Sequence, residues 1–263
     1  PGILVSILWY IFVHSRPEES PYTNEAEVAY IRQVAAEGPS QVTTPVKSLG
    51  WLDKIIRIRK VRILETNLEV FKSWNVWGIA MTYFFVNCVS YGMMTWIPTY
   101  LVSAKGYSFV KMGWVAASPW LGAMLGQMIG GWFSDKILCG RRKPMLMFAP
   151  LSVIVMMAML INAPNNSVAL ATVLFLTGFF LHSAWGSFFA LPMGWTRGKT
   201  YPTAISIVTS VGNFSGFLSP MIGGYLLDVY KNFDVLFIFL AACSFIGFLF
   251  TFTIDEPSQD NVA

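Results

Sequence analysis

Residues 122–143 read GAMLGQMIGGWFSDKILCGRRK, and this stretch decides what kind of fold the chain adopts. Positions 122–134 carry no charge. Asp135 and Lys136 then arrive together, and after Gly140 comes the basic run Arg141-Arg142-Lys143. An uncharged segment that ends in an acid, a glycine turn and a basic cluster reads as an apolar helix leaving a bilayer for water. Gly122, Gly126 and Gly130 recur every fourth residue, so they share one helical face on which another helix can come close. A second ladder, Gly212, Gly216, Pro220 and Gly224, lies further along.

The rest of the chain agrees. Of 263 residues 55% are hydrophobic and 12% charged, about half the charge of a soluble domain; mean hydropathy is +0.55. Of 14 acidic residues, eight precede residue 70, five lie from Asp228 onward, and Asp135 stands alone between. So few acids cannot solvate a globular surface. A spanning helix needs about 20 apolar residues, and six segments qualify, at 76–101, 112–133, 144–161, 168–191, 201–227 and 233–254. The cysteines Cys88, Cys139 and Cys243 fit neither a disulfide framework nor a metal site, and read as space-fillers. No metal ligands, cofactor or nucleic-acid partner are expected.

The expected organisation has four parts. Residues 1–13 hold an apolar run read as the end of a truncated sixth transmembrane helix. Residues 14–75 form a cytoplasmic linker, 76–254 a six-helix transmembrane bundle, and 255–263 a cytoplasmic tail. The stretch 51–60 (WLDKIIRIRK) mixes apolar and basic residues as a surface-lying helix does; a bound lipid head group is one reading, and a plain cytoplasmic linker is the preferred one. Basic residues alternate through the spans, nine in the linker, four at 134–143 and two at 192–200, against two, none and one in the other loops. The positive-inside bias therefore puts linker and C-terminus in the cytoplasm. The two glycine ladders occupy equivalent places in successive groups of three helices, which points to a repeat of the 3+3 inverted kind.

Several polar and aromatic residues sit at mid-span. Tyr83, Asn87 and Tyr91 are spaced i, i+4, i+8 on one face, so that face meets protein or water rather than lipid. Asn87 suits sugar hydroxyls, with interhelical bonding equally open. His182 and Trp185 are one turn apart; the imidazole either titrates or is hydrogen-bonded between helices. Asn213 lies among Ser206, Thr209 and Ser210, and Gln127 reads as a packing hydrogen bond. Gly131, Asp135, Gly140, Arg141 and Arg142 read as a gating loop. Asp135 can cap a neighbouring helix's positive N-terminus or pair with an Arg, holding one conformation closed.

Residues 131–143 resemble the signature loop of the major facilitator superfamily, G-x-x-x-D-[RK]-x-G-R-[RK], lengthened here around Ile137-Leu138-Cys139. Trp96-Ile97-Pro98-Thr99-Tyr100-Leu101, Ser118-Pro119 and Ser219-Pro220-x-x-Gly223-Gly224-Tyr225 resemble the anion:cation symporters, relatives of hexuronate, sugar-acid and sialin-type carriers. The organophosphate:phosphate antiporters share Tyr91-Gly92, but carry an Arg where this chain has Ser90. No Lys or Arg occupies mid-span here to hold a phosphate dianion.

The resemblance implies an all-α C-terminal half of a twelve-helix fold, built of two three-helix inverted repeats. It implies secondary transport of a small organic anion such as a sugar acid, driven by a proton or sodium gradient, with Trp185 and Asn213 near the solute. The expected partners are that anion, the lipid bilayer, and an N-terminal six-helix half that supplies charge and coupling acids. A bacterial inner membrane is the expected location. An organophosphate antiporter of the same superfamily is the alternative. An enzyme would need a nucleophile beside a base or an H-E-x-x-H motif, and a channel a filter loop or charged ring; the sequence shows none of these.

Overall fold

Residues 2–14, 16–37, 50, 56–59 and 61–257 are described by the computed structural model. The chain divides into two compact units, one of residues 1–45 with 263 and one of residues 46–262. The first carries α1 (Gly2–Phe12), a 3-10 turn (Pro17–Glu19) and α2 (Glu25–Glu37). Asn24 Oδ1 accepts from Glu27 N at 2.8 Å and starts α2, and Glu25 and Glu27 suit the positive end of its dipole.

The second unit begins with β1 (Ile58–Arg59) and α3 (Asn67–Lys72), which opens on a capping box between Thr66 and Glu69. Six long helical segments follow: α4 (Trp74–Thr99), α5 (Phe109–Lys136), α6 (Lys143–Ile161), the broken pair α7 (Ser167–Ser183) and α8 (Trp185–Ala190), α9 (Tyr201–Tyr230) and α10 (Phe233–Thr251). β2 (Glu256–Pro257) closes the described chain. Side chains cap the starts. Ser108 accepts from Lys111 N, Asn166 from Val168 N and Ala169 N, and Asn232 from Asp234 N.

Four of these segments, 143–161, 167–194, 201–230 and 233–251, are both long and apolar enough to cross a membrane. α4 and α5 are 26 and 28 residues long, about 39 and 42 Å at 1.5 Å per residue, but Trp, Tyr, Asn and Gly dilute their hydropathy. The lipid signature is plainest on α6. Its inner face buries Leu146, Ala149, Val153, Met157 and Leu160, while Phe148, Leu151, Val155 and Met159 are as apolar and stand exposed. A helix oily on both faces suits hydrocarbon outside as well as protein inside.

Packing follows a simple order. α4 packs against α9 and α10, α7 against α5 and α6, and α6 joins α10. Hydroxyls pin the seams to backbone carbonyls: Ser219 Oγ donates to Cys88 O at 2.6 Å, and Ser244 Oγ to Pro150 O at 3.0 Å. Pro98 cannot donate a backbone hydrogen bond, and α4 widens just beyond it into a π turn over Tyr100–Ala104.

Two expectations need correction. The segment 168–191 is not one helix: Ala184 (φ −91°, ψ 0°) interrupts it between α7 and α8. Within the stretch 51–60 Ile56 is helical, but 58–59 do not continue as a surface helix: they form an extended strand pairing in parallel with Glu256–Pro257, because this backbone satisfies its polar groups on the chain's own tail. Residues 51–55 and 60 lie outside the described residues.

Candidate functional site

The glycine ladders position the polar residues. On α5, a Cβ at Gly122, Gly126 or Gly130 would lie 2.0–2.1 Å from the carbonyl oxygens of Phe175, Phe179 and Ser183 on α7. Gly178 of α7 answers, its Cβ falling 1.9 Å from Pro119 O. Backbone meets backbone there, as a small-residue stripe permits. On α9 the stripe admits rings instead. A Cβ at Gly212 would be 2.1 Å from the Tyr83 ring, at Gly216 3.3 Å from that of Tyr91, and at Gly224 3.1 Å from that of Trp96.

This ring-in-groove seam joins two residues nominated on separate helices. The Tyr91 hydroxyl donates to Asn213 Oδ1 at 3.2 Å. Asn213 is exposed and Tyr91 half-buried. Tyr83 and Asn87 are buried in the same interface. The buried Asn87 amide Nδ2 has no hydrogen-bond partner among the described residues.

A chain of rings leads onward from Tyr83. Trp185 lies edge-on at 5.4 Å, with Phe188 at 4.9 Å and Phe189 at 6.0 Å. Trp185 stacks on His182 at 4.9 Å and 26°, and Trp120 of α5 lies 6.3 Å beyond. His182 Nδ1 is 3.1 Å from Gly178 O, a bond within its own helix rather than between helices. The ring chain passes the Ala184 break, so aromatic groups from four helices meet where one is interrupted. Beside it lies a cavity of about 240 Å³, lined by Ser90, Met93, Met94, Pro98, Trp120 and His182 among others. Trp120, Phe188 and Phe189 were missed by sequence reasoning, as aromatic residues in an apolar run carry no separate signal. Gln127 is exposed.

At the other end of the bundle, Asp135 pairs with Arg142 at 2.6 Å, and Arg142 Nη1 also donates to Ser134 Oγ at 3.0 Å. Ser134 Oγ in turn donates to the Arg141 carbonyl at 3.0 Å. Gly140 has φ +78°, a turn only glycine makes without strain, whereas a Cβ at Gly131 would meet open space. Of the two roles open to Asp135, the pairing with Arg is the one present.

Glu256, beyond the last helix, caps the neighbouring helix's N-terminus instead. Its carboxylate accepts from Arg142 N at 2.9 Å and Lys143 N at 2.8 Å, at the positive end of α6. Burial pushes that carboxyl above its ordinary pKa, against the pull of both backbone donors and of Lys143 and Arg142. The fully buried Lys143 ammonium donates to Ile254 O and, at 2.8 Å, to Ile56 O. Arg57 pairs with Asp255 at 3.6 Å and donates to Phe252 O at 2.8 Å. Linker, loop and tail form one clamp.

The family model of the Major Facilitator Superfamily matches residues 1–137 and 106–263. This chain belongs to that superfamily. It is 26% identical to the Escherichia coli (strain K12) protein named Probable galactarate/D-glucarate transporter, over 94% of this chain and 54% of that one. With the Bacillus subtilis (strain 168) protein of the same name it shares 27% identity over 92% and 51%. A D-galactonate transporter of Escherichia coli O6:H1 is 25% identical over 94% and 55%. The major facilitator chain thus spans about half the length of these curated relatives, which are transporters and not enzymes. A crystal structure of the peptide transporter POT (E310Q mutant) in complex with sulfate superimposes with a TM-score of 0.60 at 16% identity, over 70% of this chain and 40% of that one. This likeness is one of fold.

Proposed function

We propose that this major facilitator chain is the C-terminal half of a secondary transporter that carries small organic anions of the sugar-acid class by alternating access. The observation that carries this reading is the Tyr91–Asn213 pair. An exposed amide midway along a 30-residue apolar helix is costly against lipid, so its face lines a water-filled or solute-filled pathway. The Ala184 break supports the same reading, since transporters bind solutes where helices are discontinuous.

The sugar-acid relatives support this solute class, and the cavity chemistry is compatible with it. Ser90 lines the cavity where the organophosphate antiporters have Arg, and Lys and Arg occur only at the ends of the six helical segments. A phosphate dianion would find no cation among the residues lining this cavity, whereas hydroxyls would find the Ser90 hydroxyl and the His182 imidazole. The partner half supplies the carboxylate-binding cation and the coupling acids, with a proton as coupling ion.

The packing order supports two three-helix repeats. α4 takes α9 and α10 as neighbours and α7 takes α5 and α6, so the first helix of each group embraces the last two of the other. The two groups are thereby interlocked and move together as one half against its partner, and the Asp135–Arg142 clamp holds the cytoplasmic end in one state. Linker and tail face the cytoplasm in this reading, which the bias of basic residues supports, and the bacterial relatives support an inner membrane.

Asn213→Ala in the complete carrier tests the function: uptake of galactarate or galactonate is lost while surface expression persists. Normal uptake by that variant removes the site assignment. Uptake of a phosphorylated sugar in preference to sugar acids would favour the antiporter reading.

A further inference from the structure

We infer that the His182 imidazole reads a hydroxyl group of the solute through the lone pair on Nε2, which makes it a specificity residue for the polyol part of the molecule. The inference rests on the sugar-acid reading above and adds the atom and the chemistry.

The argument starts from the tautomer. Nδ1 lies 3.1 Å from the Gly178 carbonyl oxygen, which has no proton to give. The proton of that hydrogen bond therefore sits on Nδ1. In the neutral ring, Nε2 is then an acceptor and nothing else. Among the described residues no hydrogen bond reaches Nε2, although the residue is only 7% exposed. His182 lines a cavity and Nε2 is not sealed in protein, so its lone pair is open to a donor that enters there.

The surroundings say what can arrive. Trp185 stacks on the ring at 4.9 Å and Trp120 lies 6.3 Å away, so the imidazole is held between indoles rather than swinging freely. His182 lines the cavity of about 240 Å³ together with Ser90, Met93, Met94, Pro98 and Trp120. Among the described residues no charged one lines it. A carboxylate offers only acceptors and meets the Nε2 lone pair unfavourably, with no cation to compensate. A hydroxyl offers a proton. The methionines, Pro98 and Trp120 suit the C–H faces between successive hydroxyls, so the cavity takes the hydroxylated carbon chain. The carboxylate end points away from it.

Competition uptake in the complete carrier tests this with a sugar acid and its monodeoxy and deoxyfluoro analogues. Fluorine keeps the size of a hydroxyl but cannot donate. In the wild type, one position is expected at which deoxy and deoxyfluoro replacement both weaken inhibition by up to about tenfold, the worth of one hydrogen bond. His182→Phe keeps the stacked ring and removes the acceptor; it weakens the parent acid by a similar factor and leaves that one deoxy analogue unchanged. His182→Gln restores part of the discrimination through its carbonyl oxygen. Equal losses for parent and all analogues in His182→Phe would overturn the inference. Should that variant fail to reach the membrane, a deoxyfluoro series that inhibits the wild type as well as the parent acid overturns it alone. A wild-type carrier that takes up no sugar acid sinks the proposed function itself, an outcome distinguishable from both.

Discussion

The α5–α7 and α4–α9 seams are written in the same letters and built differently. Both use a helix with glycine or proline every fourth residue. In the first seam the glycines let two backbones touch, with carbonyl oxygens of Phe175, Phe179 and Ser183 filling the space a Cβ would need. In the second they make a groove for the rings of Tyr83, Tyr91 and Trp96. A backbone seam cannot loosen without parting the helices. A ring seam can, because aromatic side chains rotate. The polar pair Tyr91–Asn213 sits on the ring seam, where side chains can rearrange and the bundle stay folded.

The largest expected effect breaks the rigid side. Gly126→Ala places a methyl group 2.1 Å from the Phe179 carbonyl oxygen, which no rotamer change relieves. A loss of about 3 kcal/mol or more is expected, read as a lower melting temperature of the detergent-solubilised carrier and poor membrane yield. A normal melting temperature would show that the backbones are not in contact.

The next prediction tests the distinction itself. Gly212→Ala also creates a 2.1 Å clash, but against the Tyr83 ring. Tyr83→Ala in the same chain should restore much of the lost stability, measured as a double-mutant cycle with a coupling of about 1–3 kcal/mol. No truncation on α7 should rescue Gly126→Ala. If both glycines are rescued alike, or neither is, the two seams are equivalent and the comparison fails.

The smallest effect sharpens the mobile side. Tyr91→Phe removes one hydroxyl at 3.2 Å from Asn213 and leaves the ring in its groove. Hydrogen bonds between membrane helices are worth about 0.6 kcal/mol, so melting should move little. Apparent affinity for the solute should shift because Asn213 loses its orienting donor. A large loss of stability with unchanged affinity would make the pair a structural brace.

The local signals were strong where one side chain answers to its own helix. The charge step after residue 134, the i, i+4, i+8 face of Tyr83, Asn87 and Tyr91, and the two ladders all follow from a period of 3.6 residues and from the cost of polar groups in lipid. Glu256 was not legible in that way. It caps α6 from 114 residues downstream, and nothing near it in the chain distinguishes it from any tail carboxylate. Neither was the interruption at Ala184, which has no proline beside it; His182, Ser183 and Gly186 surround it, but none of them by itself ends a helix.

Composition, periodicity and charge placement by themselves determined a bundle of long apolar helices with a basic loop at 134–143 and polar residues held at mid-span. Helix propensity and transfer from water act residue by residue, so they can be read along the chain. Which glycine stripe would meet a carbonyl and which a ring, that Asn213 would receive the Tyr91 hydroxyl, and that Lys143 and Glu256 would join linker to tail were decided only by the tertiary structure. Those outcomes depend on which distant helix arrives at each face, and packing between helices is a property of pairs that no single segment encodes.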